Sequence, residues 1–183
     1  MKTVILDAGH GMSNRRDGHF DPGAVSNGYR EADIVMDWAN ELRGILITRG
    51  ARVVRTRIDH KDPAPIAERA GVARAYKGDI MLSLHCNAAC GAANGTETYY
   101  RGEMRYECAK KLNDCVVAAL GTRNRGAKNE SESQHATLAI MAFQPTFLLE
   151  IGFIDNRNDR AKMLDPTLRR AACEALADVL LES

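Results

Sequence analysis

Branched apolar runs alternate along this chain with segments whose apolar residues recur at three- and four-residue steps. Thr3-Val-Ile-Leu-Asp7 predicts a strand. From Glu31 to Thr48, residues Ile34, Val35, Trp38, Leu42, Ile45 and Leu46 share one helical face, and Gly50 supplies the stop. Ala51 to Arg55 predicts a second strand, and Pro65 to Tyr76 a second helix with Gly78 beyond its end. Asp79 to Leu84 is a third strand whose unbroken apolar run implies burial on both faces. Thr96 to Tyr100 mixes threonine and glutamate with tyrosine and predicts a more exposed strand. A helix over Gly102 to Leu120 is followed by Gly121 to Gln134, a polar stretch without periodicity expected to be a surface loop. Thr146 to Glu150 predicts another strand, entered through Pro145, and Pro166 to Leu181 a closing helix.

This order predicts an α/β fold: one domain over residues 1–183, with a mostly parallel twisted sheet and helices on both faces. The segments from Gly9 to Arg30 and from Gly121 to Gln134 are longer than mere connections need to be.

Composition narrows the function classes. The 25 Lys+Arg against 24 Asp+Glu leave a net charge of +1, which argues against binding nucleic acid by bulk charge. The longest apolar runs are of strand length, so no membrane span is expected. Lys2 leads at once into a strand-like run, so no signal peptide is read. The five cysteines are an odd number, with no pair of CxxC motifs, and all are expected to be reduced packing residues. A monomer is the expected state.

Ligands in parallel α/β sheets sit beyond the carboxyl ends of the strands. His10 follows the first strand, His85 and Asn87 follow the third, and Glu150 ends the strand entered through Pro145. The loop after His10 delivers Glu31 into the first turn of the first helix. A hydrolytic zinc site needs three ligands of the His/His/carboxylate kind and an open position, which His10, Glu31 and His85 would supply, leaving Glu150 as the base. Gly9 and Gly11 would let the backbone turn beside His10. Asn87 would fix the loop carrying His85 through bonds to its backbone.

Each residue also has a plainer reading. Gly-His-Gly can be a turn, Glu31 a helix-start acid favoured by the dipole, and His85 a satisfied core histidine. Glu150 resists such a reading, because a carboxylate enclosed by Phe147-Leu-Leu149 and Ile151-Gly-Phe153 needs a partner or a raised pKa.

The blocks Ile5-Leu-Asp-Ala-Gly-His-Gly11, Asp21-Pro-Gly-Ala24, Gly28-Tyr-Arg-Glu-Ala32, Thr56-Arg57, Ser83-Leu-His-Cys-Asn-Ala88 and Leu149-Glu-Ile-Gly-Phe153 occur in order along the whole chain. The sequence thereby resembles the zinc-dependent N-acetylmuramoyl-L-alanine amidases of the Amidase_3 type, known from cell-wall autolysins and phage endolysins. The resemblance implies one Zn2+ per chain on His10, Glu31 and His85. It also implies a zinc-bound water as nucleophile, Glu150 as general base and acid, and the lactyl amide of peptidoglycan as the bond cut. Asn87 and Arg125 are read as substrate-binding, with Arg15, Arg16, Arg123 and Lys128 as further candidates for stem-peptide carboxylates. His135 is a candidate extra donor, whereas His19 and His60 are read as surface residues. No segment between His85 and Glu150 is left over for a blocking helix, so an open site is expected. The implied substrate lies outside the cytoplasm. It would be reached from a host cytoplasm by a phage lysis enzyme, or by a secreted enzyme whose leader lies outside this chain. A different zinc hydrolase on a related sheet is the nearest alternative, and a wall-binding module with a dead site is another. The second is disfavoured by the presence of all four active-site residues.

Overall fold

A computed structural model describes residues 1–183. The first strand, β1 (Thr3–Ala8), is buried along its whole length. Two short hairpins then fill the segment before the first helix: β2 (Gly11–Met12) with β3 (Phe20–Asp21), and β4 (Val25–Ser26) with β5 (Tyr29–Arg30). Helix α1 (Glu31–Thr48) leads to β6 (Arg52–Arg55), α2 (Ile66–Ala75) and β7 (Ile80–Asn87). After β8 (Thr96–Tyr100) come α3 (Tyr106–Leu120), β9 (Asn124–Asn129), β10 (Thr146–Phe153), α4 (Arg157–Leu164) and α5 (Pro166–Glu182).

Six strands form one sheet in the order β6-β1-β7-β10-β8-β9. The first four are parallel, whereas β8 runs antiparallel to β10 and carries β9 parallel to itself. Helices α1, α3 and α5 cover one face, where Trp38, Leu42, Leu82, Leu149 and Leu176 belong to the large core. Each such side chain fully withdrawn from water contributes roughly 1.5–3 kcal/mol. The indole nitrogen of Trp38 donates to the Met163 carbonyl, so its one polar group is satisfied at depth. The opposite face has thinner cover. There α2 and a 3-10 turn over Ala139–Ala142 meet Ile5, Met81, Tyr99 and Leu148 in a smaller cluster. This thinner cover leaves room for a site.

Several elements depart from the sequence reading. The strand Thr96–Tyr100, expected to be exposed, is buried at every residue because it lies inside the sheet, between β10 and β9. The expected loop over Gly121–Gln134 contains β9, an edge strand followed by a 3-10 turn. The helix expected from Gly102 begins with a separate 3-10 turn and becomes α-helical at Tyr106. Helix α4 had no apolar stripe to reveal it, but the Asn156 side chain caps it by accepting from the amides of Asn158 and Asp159. No helix is long and apolar enough to cross a membrane. All five cysteines are free. Cys86 and Cys173 are buried packing residues as expected, whereas Cys90 is exposed.

Candidate active site: a His-Glu-His metal centre beside a buried carboxylate

Because side chains alternate along strands, Ile5, Met81 and Leu148 on the thinly covered face fix where the residues two and four positions on must point. Asp7, His85 and Glu150 therefore share that face. The register aligns His85 on β7 with Glu150 on β10, and Glu150 with Glu97 on β8. Strand β7 runs to Asn87 and β10 to Phe153, so His85 and Glu150 are held by the sheet itself, not by loops.

His10 and Glu31 arrive from the other side. Glu31 opens α1 but does not cap it, since Arg30 precedes the helix in extended conformation without a side-chain cap. The carboxylate instead spans the site. Its Oε2 accepts from the Ala24 amide at 2.9 Å, and its Oε1 accepts from the Cys86 amide at 2.9 Å. The same Oε1 lies 3.0 Å from both His10 Nε2 and His85 Nδ1. The three ligand atoms of His10, Glu31 and His85 all lie within 4.8 Å of one another.

Three observations test whether this set fits a metal ion. First, the donor types are the nitrogen, nitrogen and oxygen that suit zinc. Second, His10 Nδ1 bonds to Asp21 Oδ2 at 3.1 Å, and Asn14 and the Gly23 amide hold Asp21 in turn. A carboxylate behind a histidine fixes which nitrogen carries the proton and leaves the other to ligate. Third, glycines form a cradle around the donors. A Cβ on Gly9 would stand 2.4 Å from His85 Cε1, and one on Gly23 would stand 2.6 Å from Glu31 Oε2 and 2.7 Å from His10 Cδ2. The sequence reading assigned backbone freedom to Gly9 and Gly11. In fact His10 itself adopts a left-handed φ of 62° and Gly11 one of 98°, while Gly9 is required for space.

Buried ionic groups support this loop from beneath. Asp7 accepts from Thr56 Oγ1, Ser83 Oγ and Arg69 Nη1. Burial alone would raise its pKa, but the Arg69 charge and the two hydroxyls hold it down at about 2. Arg69 also donates to the carbonyls of Ala8, His10 and Ala64, and Arg57 donates to those of Ala8, Gly9 and Ala32. The Thr56-Arg57 pair thus shapes the loop carrying His10 without facing the cleft.

Charge at the centre is divided unevenly. Burial works against Glu31 ionising, yet its contacts with His10 and His85 hold its pKa well below the ordinary value. Burial lowers the pKa of His10, but the Glu31 and Asp21 carboxylates outweigh it and raise the net value. Burial drives Glu150 the other way, well above its ordinary value, with the charges of Glu31 and Glu97 adding to the rise. Its Oε2 is buried with no hydrogen-bond partner. An unpartnered buried carboxylate oxygen near two other carboxylates favours its protonated form.

A cleft of about 630 Å³ brings together His10, Glu31, Glu150, Asn87 and Arg125, and an adjoining cavity of about 210 Å³ reaches His85. Arg15, Lys128 and His135 also line the cleft, whereas Arg16 and Arg123 do not. Between His85 and Glu150 the one α-helix is α3, which packs on β8, β9 and α5. His19 is exposed as expected. His60 is half-buried, its ring edge-on to Phe20 and its Nε2 3.3 Å from Asp33. Asn87 departs from expectation: its Nδ2 donates to Glu97 Oε1 at 2.8 Å, not to the backbone of the loop. Glu97 is the residue the sequence reading missed. Sitting in a strand expected to be exposed, it carried no signal of its buried partners.

An α/β sheet with a three-donor centre next to a buried acid defines a candidate metallohydrolase. Residues 4–182 match the family described as Amidase_3, N-acetylmuramoyl-L-alanine amidase, and the chain belongs to that family of peptidoglycan-acting enzymes. It is 35% identical to YqiI of Bacillus subtilis over 97% of this chain and 82% of that protein. It is 30% identical to N-acetylmuramoyl-L-alanine amidase LytC of the same organism over 97% of this chain, which spans only 34% of LytC. Among solved structures, the catalytic domain of the amidase CwlV from Bacillus (Paenibacillus) polymyxa matches with a TM-score of 0.85. That match has 28% identity and covers 100% of this chain and 97% of that one.

Proposed function

We propose that this protein hydrolyses the amide between the lactyl group of N-acetylmuramic acid and L-alanine in the cell wall. In this reading His10, Glu31 and His85 hold one zinc ion, and Glu150 is the general base and acid. The observation that carries it is the meeting of three ligand atoms within 4.8 Å beside a buried carboxylate oxygen that has no partner. Bound there, zinc would supply Lewis acidity, making water more acidic and polarising the amide carbonyl.

Glu150 accepts the proton of the attacking water and returns it to the amide nitrogen as the C–N bond breaks. Its raised proton affinity suits the second half of that cycle, because a carboxyl that holds its proton can deliver it to the departing amine. Asp21 keeps the His10 ring oriented through Nδ1, and the Cys86 and Ala24 amides fix both oxygens of Glu31. Two neutral imidazoles and one carboxylate around a divalent ion leave the centre formally positive, which favours negative charge growing on the carbonyl oxygen. Asn87 and Arg125 form part of the wall that receives the substrate.

The test pairs metal content with products. The zinc-loaded protein should release new L-alanine amino termini from peptidoglycan without new reducing sugars. Glu150→Ala should retain one zinc per chain and lose about 10²–10⁴-fold in rate, whereas His85→Ala should lose both metal and activity. Full activity in Glu150→Ala, or reducing ends in place of amino termini, would contradict the assignment.

A further inference from the structure

Glu97 and Glu150 stand directly opposite each other on neighbouring antiparallel strands, a like-charge pairing that destabilises a sheet unless it is compensated. The compensation on Glu97 exceeds what one carboxylate needs. Its Oε2 accepts from both Arg125 Nε and Lys128 Nζ, each at 2.6 Å. Its Oε1 accepts from Asn87 Nδ2 at 2.8 Å and from the Tyr99 hydroxyl at 2.9 Å. Glu97 is only 2% exposed, while both basic side chains reach the cleft wall. Within this trio two cations face one anion, although Glu132 and Glu150 also line the cleft.

The backbone is shaped to produce this arrangement. Residues three apart in a regular strand point to opposite faces, yet Arg125 and Lys128 both meet the same oxygen. A register shift makes this possible: Thr96 pairs with Asn124 but Glu97 with Gly126, so Arg125 is the extra residue of a β-bulge, and Gly126 takes a φ of 85°. Arg125 is held further by the Phe153 ring, 5.0 Å from its guanidinium carbon, and Lys128 lies 6.0 Å from the centre of the Tyr99 ring. Arg125 bonds to Glu97 through Nε alone. Its Nη1 and Nη2 donors have no partner within the protein.

We propose that Arg125 and Lys128, aimed by the positioning residue Glu97, form a subsite that binds a carboxylate of the substrate's peptide. The assignment rests on the amidase reading and specifies what that site selects. The lactyl carboxyl is consumed in the amide and N-acetylated sugars are neutral, so the anionic groups of the substrate lie on the peptide. Glu97 is one strand spacing from Glu150, about 5 Å, and β9 is one strand further. An extended peptide advances about 3.5 Å per residue. The carboxylate within reach is therefore the one on the residue that follows L-alanine.

The test uses N-acetylmuramoyl-L-alanyl-D-glutamate with its γ-carboxyl capped as the methylamide and the matching D-isoglutamine compound, so that the one free carboxylate, at the α position, becomes a carboxamide of the same shape. Zinc-loaded wild type should favour the acid by about tenfold or more in kcat/KM. Calorimetry with the released L-alanyl dipeptides should show the same order of affinity. Arg125→Met and Lys128→Met should each move the acid-to-amide ratio toward one, and Lys128→Arg should preserve it. A purely structural role would lower both substrates alike and leave the ratio unchanged. Equal cleavage of the two substrates by wild type, which requires no variant to fold, would overturn the subsite and leave the amidase reading standing. Failure of the zinc-loaded wild type to cleave either one, or peptidoglycan, would remove both.

Discussion

Asp7 and Glu97 are both buried carboxylates that accept a hydrogen bond from a guanidinium, Asp7 from Arg69 at 2.7 Å and Glu97 from Arg125 at 2.6 Å. They differ in what remains of the cation. The other donors of Arg69 are taken up by backbone carbonyls and by Asn14, at a position only 2% exposed. The terminal nitrogens of Arg125 are left free beside a cleft. The first arrangement is closed on itself and fixes the loop that carries His10. The second leaves two donors open to the cleft. A buried ion pair becomes a candidate for recognition when the chain leaves donors unspent.

The comparison is tested most strongly at Asp7. Replacing it as Asp7→Asn strands the Arg69 charge in the interior, and we expect a loss of about 3–5 kcal/mol in denaturant unfolding. A loss below about 1 kcal/mol would mean the cluster is not the scaffold described. Acid should produce a smaller effect at the same place. The folded pKa of Asp7, about 2, lies below the ordinary 3.8. Its stabilisation is therefore fully present above about pH 4 and is lost as pH falls through the folded value. The difference is worth about 2 kcal/mol, and a stability-versus-pH curve for Asp7→Asn should lack that component. The smallest effect belongs to Glu97→Gln. Its basic partners can turn toward solvent, so the expected loss in stability is about 1 kcal/mol. The same substitution removes one of the charges that raise the Glu150 pKa. As the proposed base Glu150 would work ionised, so the acidic limb of the kcat/KM profile should move to lower pH. A shift to higher pH would contradict the proximity of the two groups.

The His10, Glu31 and His85 group that could hold a metal ion was legible in the sequence because its residues follow local rules. His10 and His85 sit at or near the ends of apolar runs, and Glu31 shares the helical face of Val35, Trp38 and Leu42 where a solvated acid has no place. The opposite wall lacked such signals. Strand β9, Asn-Arg-Gly-Ala-Lys-Asn, has one apolar side chain, Ala127, so no period of two marks it as a strand. Without that strand, Thr96–Tyr100 with its mixed Thr and Glu reads as a more exposed element, and nothing singles out Glu97. The role of Asn87 depended on the same missing partner. Likewise the space required at Gly9 and Gly23 is set by side chains distant in sequence, which no local pattern reports.

The bulge has a second consequence, for how copies of the chain meet one another. Strand β9 is the outer edge of the sheet, where unpaired amides and carbonyls offer a template to any other extended segment. The extra residue at Arg125, the positive φ of Gly126 and the nearby Lys128 leave that edge kinked and charged. An edge so interrupted disfavours strand-to-strand association. Deleting the extra residue would straighten the edge and create a continuous surface for aggregation.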